Sequence, residues 1–463
     1  MSVSRDDMNT SESDLDIEAT QNVFEPVVVE DKKPELQPSH GLNLLEKIRT
    51  NESALPPGPA PDGGLKAWTQ AMCGHFIVFN SWGYINGWGV FQSYYTENLP
   101  ESSSAIAWIG GIQVFLLFFI GTFSGRLTDA GYFKILLVSG VIIQLVGIFM
   151  TSLCKEYYQI ILAQGVCVGI GNGLTFCPTI SVVAPYFDRK RGLAMAVVAA
   201  GSGTGGLVYP AVIRQLIPQI GFPWTVRVLG FITLATDIPC IILLKTRVPP
   251  RSTGPLVEFR AFKEFPYLFF SISMFFNFWG LYVVFFYLST FARDQVGMPQ
   301  ASASNLVMIL NGVGIPGRLI PNYIADRTIG MHNMFLPVCV GMVIVMYCWI
   351  AVHNVAGLYV YAVIYGFFGA GMQALFPGTL TTMAKDVRKT GIRVGMTFSV
   401  VSFAALTGSP IAGALVAEDN GGYLYAQLFA GTCMLIGTVL MFLSRWSKDW
   451  ERTKRIMEEN AHR

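Results

Sequence analysis

The sequence predicts an all-α integral membrane protein, with twelve transmembrane helices in two pseudo-symmetric six-helix bundles. Three observations predict it. Hydrophobic residues make up 52% of the 463 and charged residues only 13%, about half the charged share of an ordinary soluble chain. The mean hydropathy is +0.47, too high for a core of this length to hide from water, so lipid must solvate part of the surface. Finally, apolar runs of bilayer-spanning length recur from Leu65 onward, and short motifs return between the two sets of six.

The first 64 residues stand apart. They hold 13 acidic and 5 basic residues and end in a Pro- and Gly-rich stretch, Ala54-Leu-Pro-Pro-Gly-Pro-Ala-Pro-Asp-Gly-Gly64. Without apolar periodicity they cannot bury enough surface to offset the entropy of ordering, which predicts a disordered acidic tail over 1–64. Nor do they carry the basic start and apolar core of a signal peptide.

Twelve apolar runs follow, at roughly 66–92, 104–125, 134–153, 157–186, 192–216, 224–245, 266–292, 302–325, 333–352, 356–384, 391–416 and 422–445. A polar interruption at 246–265 divides them into an N-terminal half, 65–245, and a C-terminal half, 266–445, with a basic tail at 446–463. If the N-terminus is cytosolic, the inner loops and the C-terminal tail hold 21 Lys and Arg against 3 in the outer loops. The positive-inside rule therefore places both termini in the cytosol, and the plasma membrane is the expected location. The eight cysteines fall mostly inside apolar runs and suggest no disulfide framework.

The halves repeat. Phe79-Asn80-Ser-Trp82-Gly83 returns as Phe276-Asn277-Phe-Trp279-Gly280, and Asp129 as Asp326. Gly169, Gly171 and Pro178 return as Gly369, Gly371 and Pro377, and Arg189-Lys190-Arg191-Gly192 as Arg388-Lys389-Thr390-Gly391. All offsets lie between 197 and 200 residues. Four matches in one order argue for duplicated six-helix units, a signature of alternating-access transporters.

These residues carry a family resemblance. The turn Gly125-Arg126-Leu127-Thr128-Asp129-Ala130-Gly131 resembles the cytoplasmic signature of the major facilitator superfamily. Within it, Pro61-Asp62-Gly63-Gly64 and Tyr186-Phe-Asp188-Arg-Lys-Arg-Gly-Leu-Ala194 are similar to the monocarboxylate-porter family. So is Asn311-Gly-Val-Gly-Ile-Pro-Gly-Arg318, in the version found in fungal members. The resemblance implies a major facilitator fold and a solute that is a carboxylate or a weak acid. In lactate-type members a Lys in helix 1 and an Asp one turn before the helix 8 Arg take part in proton and carboxylate binding. Here Asn86 and Gly314 stand at those positions and Arg318 alone is kept. The resemblance also assigns Gly125, Arg126, Asp129 and Asp326 to a cytoplasmic gate.

The candidate site residues follow from cost. Arg318 lies inside run 8, where a cation must be paired or face a wet cavity, and it shares one stripe with Asn311 and Gly314. In run 1, His75, Phe79, Trp82 and Asn86 fall on one face with Asn80 just beside it, a face suited to a flat organic ligand. Run 7 is dense in aromatics, and Asn277, Trp279 and Tyr282 rank ahead of any phenylalanine as solute contacts; Gln373 in run 10 is of the same kind. Asp237 in run 6 and His75 are candidates to carry a coupling proton. The competing readings are a core histidine already satisfied, amides that glue helices together, and an Asp237 carboxyl bonded to carbonyls freed by Pro239. The Gly-rich stretch from Gly201 to Gly206 lies within an apolar run and lacks the Lys-Ser/Thr of a phosphate loop, so it reads as a close-packing surface.

No metal-ligand cluster, nucleotide loop or nucleophile–base pair is present, so neither an enzyme, a cofactor nor a nucleic-acid partner is expected. The partners are the lipid bilayer, a small organic solute and protons; nothing in the sequence speaks to oligomeric state. Export of a secondary metabolite is the favoured direction. Uptake of a monocarboxylate or vitamin-like solute is the alternative, and a non-transporting sensor is a third reading.

Overall fold

The structure, a computed structural model, describes residues 58–101, 103–249, 257–383 and 389–461. Of the tail expected to be disordered, 1–57 lies outside the described residues. Among the described residues every regular element is helical. Helix α1 spans Gly64–Asn86 and bends at Gly87 into a shorter helix, Trp88–Asn98, six residues beyond the expected end. Then come α2 (Ala105–Asp129), α3 (Phe133–Thr151) and α4 (Tyr157–Tyr186). One continuous run, Arg191–Leu243, contains the next two spans. It breaks at Gly221, whose φ of 75° suits a residue without a Cβ, between Pro218 and Pro223; α5 is 191–220 and α6 is 222–243.

The second half runs α7 (Phe265–Asp294), α8 (Gln300–Arg327), α9 (Met331–Ala351), α10 (Val355–Met383), α11 (Thr390–Glu418) and α12 (Leu424–Ala461). Among the described residues nine helices are long and apolar enough to cross a bilayer, one of them being the double run α5–α6. The two spans that fall short are α1 and α8, the helices whose polar stripes drew attention in the sequence. Helix α12 overruns its expected end at 445 and absorbs the tail, because no Gly or Pro between 438 and 461 interrupts it.

Within the halves, α1 packs along α5 and α6, α7 along α11 and α12, and α8 along α10. The halves meet along two seams, α2 against α11 and α5 against α8. Glycine makes the second seam and its neighbour possible. A Cβ at Gly201 or Gly205 would run into the α1 backbone at His75 and Phe79, while one at Gly203 or Gly206 would meet α8 at Ile315 or Asn311. The glycine run in α5 therefore serves two opposite faces.

Residues 58–63 are not loose, contrary to the expectation for the whole tail. The Gly58 and Pro59 carbonyls accept from Arg247, the Asp62 N–H donates to the Tyr186 carbonyl at 3.2 Å, and Trp68 packs edge-on against Phe187. The stretch is a strap across the end that bears the basic loops.

Candidate solute cavity and gate

Between the halves lies a partly enclosed cavity, about 480 Å³ of space between atoms when its open mouth is included. Its walls come from α1 (Val78, Trp82), α2 (Phe118), α4 (Phe176, Ile180) and α5 (Met195, Val198, Ala199, Ser202). The other half supplies Phe278 of α7, Arg318 of α8, Gln373, Phe376 and Pro377 of α10, and Phe398 of α11. Two ring pairs cross the seam, Phe176 stacked on Phe398 at 5.5 Å and Phe118 at 5.3 Å from Phe398, and within the second half Phe376 meets Phe398 edge-on at 5.1 Å. Trp82 of one half lies parallel to Tyr282 of the other, 6.4 Å apart and 5° from coplanar.

Arg318 is the charged group in this wall. It is 2% exposed, and its Nε and Nη1 have no hydrogen-bond partner. Gly314, one turn before it, makes the space: a Cβ there would sit 2.5 Å from Nη1. The space that a side chain at position 314 would take is thus filled by the guanidinium itself. The Gln373 Nε2 and the Tyr282 hydroxyl are likewise buried without partners. Donors outnumber acceptors here, an arrangement that suits an acidic solute with an apolar body.

The other candidates lie elsewhere. Asn86 donates to the Ser202 carbonyl at 3.1 Å and Asn311 to the Val307 carbonyl at 3.1 Å; both abut Gly206 at the junction of α1, α5 and α8, beside the cavity and not in its wall. Asn80 points away from it, to α6. Its Nδ2 donates to Asp237 Oδ1 at 2.6 Å and its Oδ1 accepts from Tyr209 at 3.1 Å. His75 has both ring nitrogens engaged by α5, at the Val197 carbonyl (2.8 Å) and Thr204 Oγ1 (3.0 Å), so it is a histidine satisfied in place, away from the cavity wall. Asn277 donates to the Ser273 carbonyl of its own helix at 2.9 Å and is wedged against Gly437 of α12. Trp279 donates to Thr407 of α11 at 3.0 Å and packs on Phe429 of α12. Both were expected to touch solute, and both pack against α11 or α12 instead.

At the basic end two carboxylates cross between the halves. Asp129, at the end of α2, accepts from the Gly391 and Ile392 N–H groups at 3.1 and 2.9 Å, the first turn of α11. Asp326, at the end of α8, accepts from Gly192 and Leu193 at 2.8 and 2.7 Å, the first turn of α5. Each satisfies orphan N–H groups and sits at the positive end of a helix dipole. Gly125 brings α2 onto the Gly391 carbonyl, and Arg126 is buried in the same turn. This end is closed.

The model of the Major Facilitator Superfamily matches residues 71–408. The chain belongs to that family. Among its relatives is an MFS-type transporter of Gibberella zeae, 43% identical over 86% of this chain and 90% of that protein. Another is the aspyridones efflux protein apdF of Emericella nidulans, 38% identical over 83% of this chain and 78% of that one. Among solved structures, the human organic anion transporter MFSD10 superposes with a TM-score of 0.68 at 11% identity, over 82% of this chain and all of that one. At that identity the likeness is one of fold.

The protein is therefore a multi-pass membrane transporter of the major facilitator type and not an enzyme. The phenylalanines at 118, 176, 278, 376 and 398, five of the fifteen lining residues of this facilitator's cavity, were not singled out in the sequence. Phe176 and Phe376 flank the repeated prolines at 178 and 377 at offsets near 200. The internal repeat itself was the signal that would have found that pair.

Proposed function

We propose that this facilitator exports a secondary metabolite carrying an acidic group on a planar, apolar body, and that its basic end faces the cytosol at the plasma membrane. One observation carries the ligand class: the buried Arg318 guanidinium has two nitrogens without partners, in a wall of five phenylalanines and Trp82. An unpaired cation at membrane depth costs about 3 kcal/mol by insertion scales. A bound carboxylate or acidic enol offsets that cost, and ring stacking adds roughly 0.5–1.5 kcal/mol per pair. The monocarboxylate-porter-like motifs and the naming of the relative apdF as an efflux protein support an acidic solute and export.

Two experiments test the reading. Thermal stabilisation of the purified chain by 2-naphthoate, set against the neutral 2-naphthamide, reports charge recognition. Only the acid should stabilise, and Arg318→Ala should abolish the difference while leaving surface abundance intact; equal effects of the two compounds would sink the ligand class. Metabolite profiling of a deletion strain, with cells and medium analysed apart, reads direction. A compound that builds up in cells and falls in medium supports export, whereas one left unconsumed in the medium replaces export by uptake.

A further inference from the structure

A second polar site lies off the cavity, on the far side of α1. Val78 and Trp82 face the solute wall, while Asn80 between them faces α6 and meets Asp237, Thr236 and, from α5, Tyr209. Asp237 is 1% exposed. Its Oδ1 accepts from Asn80, and its Oδ2 has no partner at all.

An inventory of donors explains the vacancy. The Asn80 amide is spent on both atoms, with Nδ2 on Asp237 and Oδ1 taking the Tyr209 hydroxyl. The Thr236 hydroxyl has the Ile232 carbonyl at 2.9 Å and Asn80 Oδ1 at 3.0 Å for acceptors, and Thr233 Oγ1 lies 2.8 Å from the Tyr209 hydroxyl and 3.0 Å from the Leu229 carbonyl, so both hydroxyls are engaged away from Asp237. Other titratable or charged groups on the surrounding helices are engaged elsewhere. Cys240 of α6 lies over the Cys73 carbonyl of α1, and His75 of α1 is bonded to α5. Lys134 of α3 reaches the Ile241 carbonyl near the end of α6, and Arg227 bonds Ser152 toward its other end. No described cation is placed to neutralise a carboxylate at 237.

A buried, unpaired carboxylate is among the most expensive groups a membrane helix can hold. We propose that Asp237 is a proton-binding site that couples proton movement to transport, holding a proton on its carboxyl in the closed state seen here. Losing that proton to water leaves a negative charge between α1, α5 and α6, which is relieved when α1 moves and admits water. Asn80 is two residues from Trp82, so the same movement displaces the solute wall. The coupling site is thus one helix thickness from the solute and shares no residue with it.

The test uses the full chain in proteoliposomes and has two arms. Infrared spectra read the carbonyl stretch of protonated carboxyls. One such band in the wild type should be lost in Asp237→Asn and return in Asp237→Glu, and an unchanged band in the Asn variant overturns the proposal. The second arm follows 2-naphthalenesulfonate, a permanent anion that does not leak through lipid, with and without a pH gradient. The wild type should respond to the gradient. In Asp237→Asn the ratio of the two rates should fall to unity while exchange of labelled for unlabelled probe continues. A gradient response kept by the Asn variant, or absent from the wild type, refutes the coupling; loss of exchange along with the response makes the carboxyl architectural and refutes it too. The coupling arm rests on the proposed ligand class, but the infrared arm does not. If the wild type moves no probe, the ligand class fails and the band alone decides the proton site.

Discussion

The first turns of α5 and α11 are the same feature built twice, and they are held differently. Each receives a carboxylate from the opposite half, Asp326 on α5 and Asp129 on α11, through two backbone N–H groups. Each is also tied to the segment that leads into the first helix of its own half, and there the two diverge. Before α5, Asp62 of the strap accepts from the Asp188 and Lys190 N–H groups at 2.5 and 3.4 Å. At α11, side chains do the work: Arg393 makes a two-pronged pair with Glu264 at 2.7 and 3.2 Å, and Lys389 meets Glu258 at 2.5 Å. Duplication has kept the contact that both halves share, a carboxylate at a helix N-terminus. The contact private to each half was free to change chemistry.

That contrast can be broken at graded cost. The largest effect should come from Arg393→Ala, since the arginine is 4% exposed and pairs with both Glu264 and Glu258. Removing one partner of a fully buried pair costs about 3–5 kcal/mol. Glu264 is 27% exposed, so solvent screening reduces this to about 1–3 kcal/mol, read as a lowered midpoint of thermal unfolding. Next come Asp129→Asn and Asp326→Asn. Each exchanges a charge-assisted contact for a neutral one, at about 1 kcal/mol. Spin-label distances across the basic end should shift toward separation by similar amounts in the two variants, with turnover impaired more than solute binding. Unequal shifts would show that the halves do not share the closure evenly.

Asp62→Asn should be the mildest. Burial by itself would raise the Asp62 carboxyl, but the N–H groups of Asp188, Arg189 and Lys190 outweigh it and hold the group below the ordinary Asp range. Its contribution is therefore present above the unfolded value of about 3.9 and lost as pH falls through the depressed folded value. The variant should flatten the acid limb of the strap's protection from proteolysis and leave neutral behaviour nearly unmoved. A large loss at neutral pH would mean the strap supports α5 as strongly as the ion pairs support α11.

Much of the architecture was legible because it rests on bilayer thickness and repeat spacing, which amino-acid order records directly. Trp82, Arg318 and Gln373, all singled out in the sequence, stand in one wall, with Tyr282 stacked on Trp82. Direction was harder to read. Run 7 is aromatic on every face, so periodicity could not separate Phe278, which lines the cavity, from Asn277 one position before it. Polarity was a misleading guide there: Asn277 finds an acceptor on its own helix, and Gly437 of α12 leaves the room its amide occupies. Asn80 misled in the same way, since its partner lies 157 residues off, on α6. Strap residues 58–63 looked disordered because their order comes from backbone groups and one carboxylate, Asp62, whose partners lie more than 120 residues away along the chain.

The two-faced glycine run of α5 bears on how such a protein can change its cargo. Positions 201, 203, 205 and 206 accept little beyond hydrogen, since any bulk there pushes α1 or α8 out of place. Val198 and Ala199, just before them, and Ser202, among them, line the solute cavity with their side chains. Selection for a new metabolite has a short stretch of helix in which cavity-lining and close-packed positions adjoin. Diversity among descendants should accumulate at the former while the latter stay monotonously small.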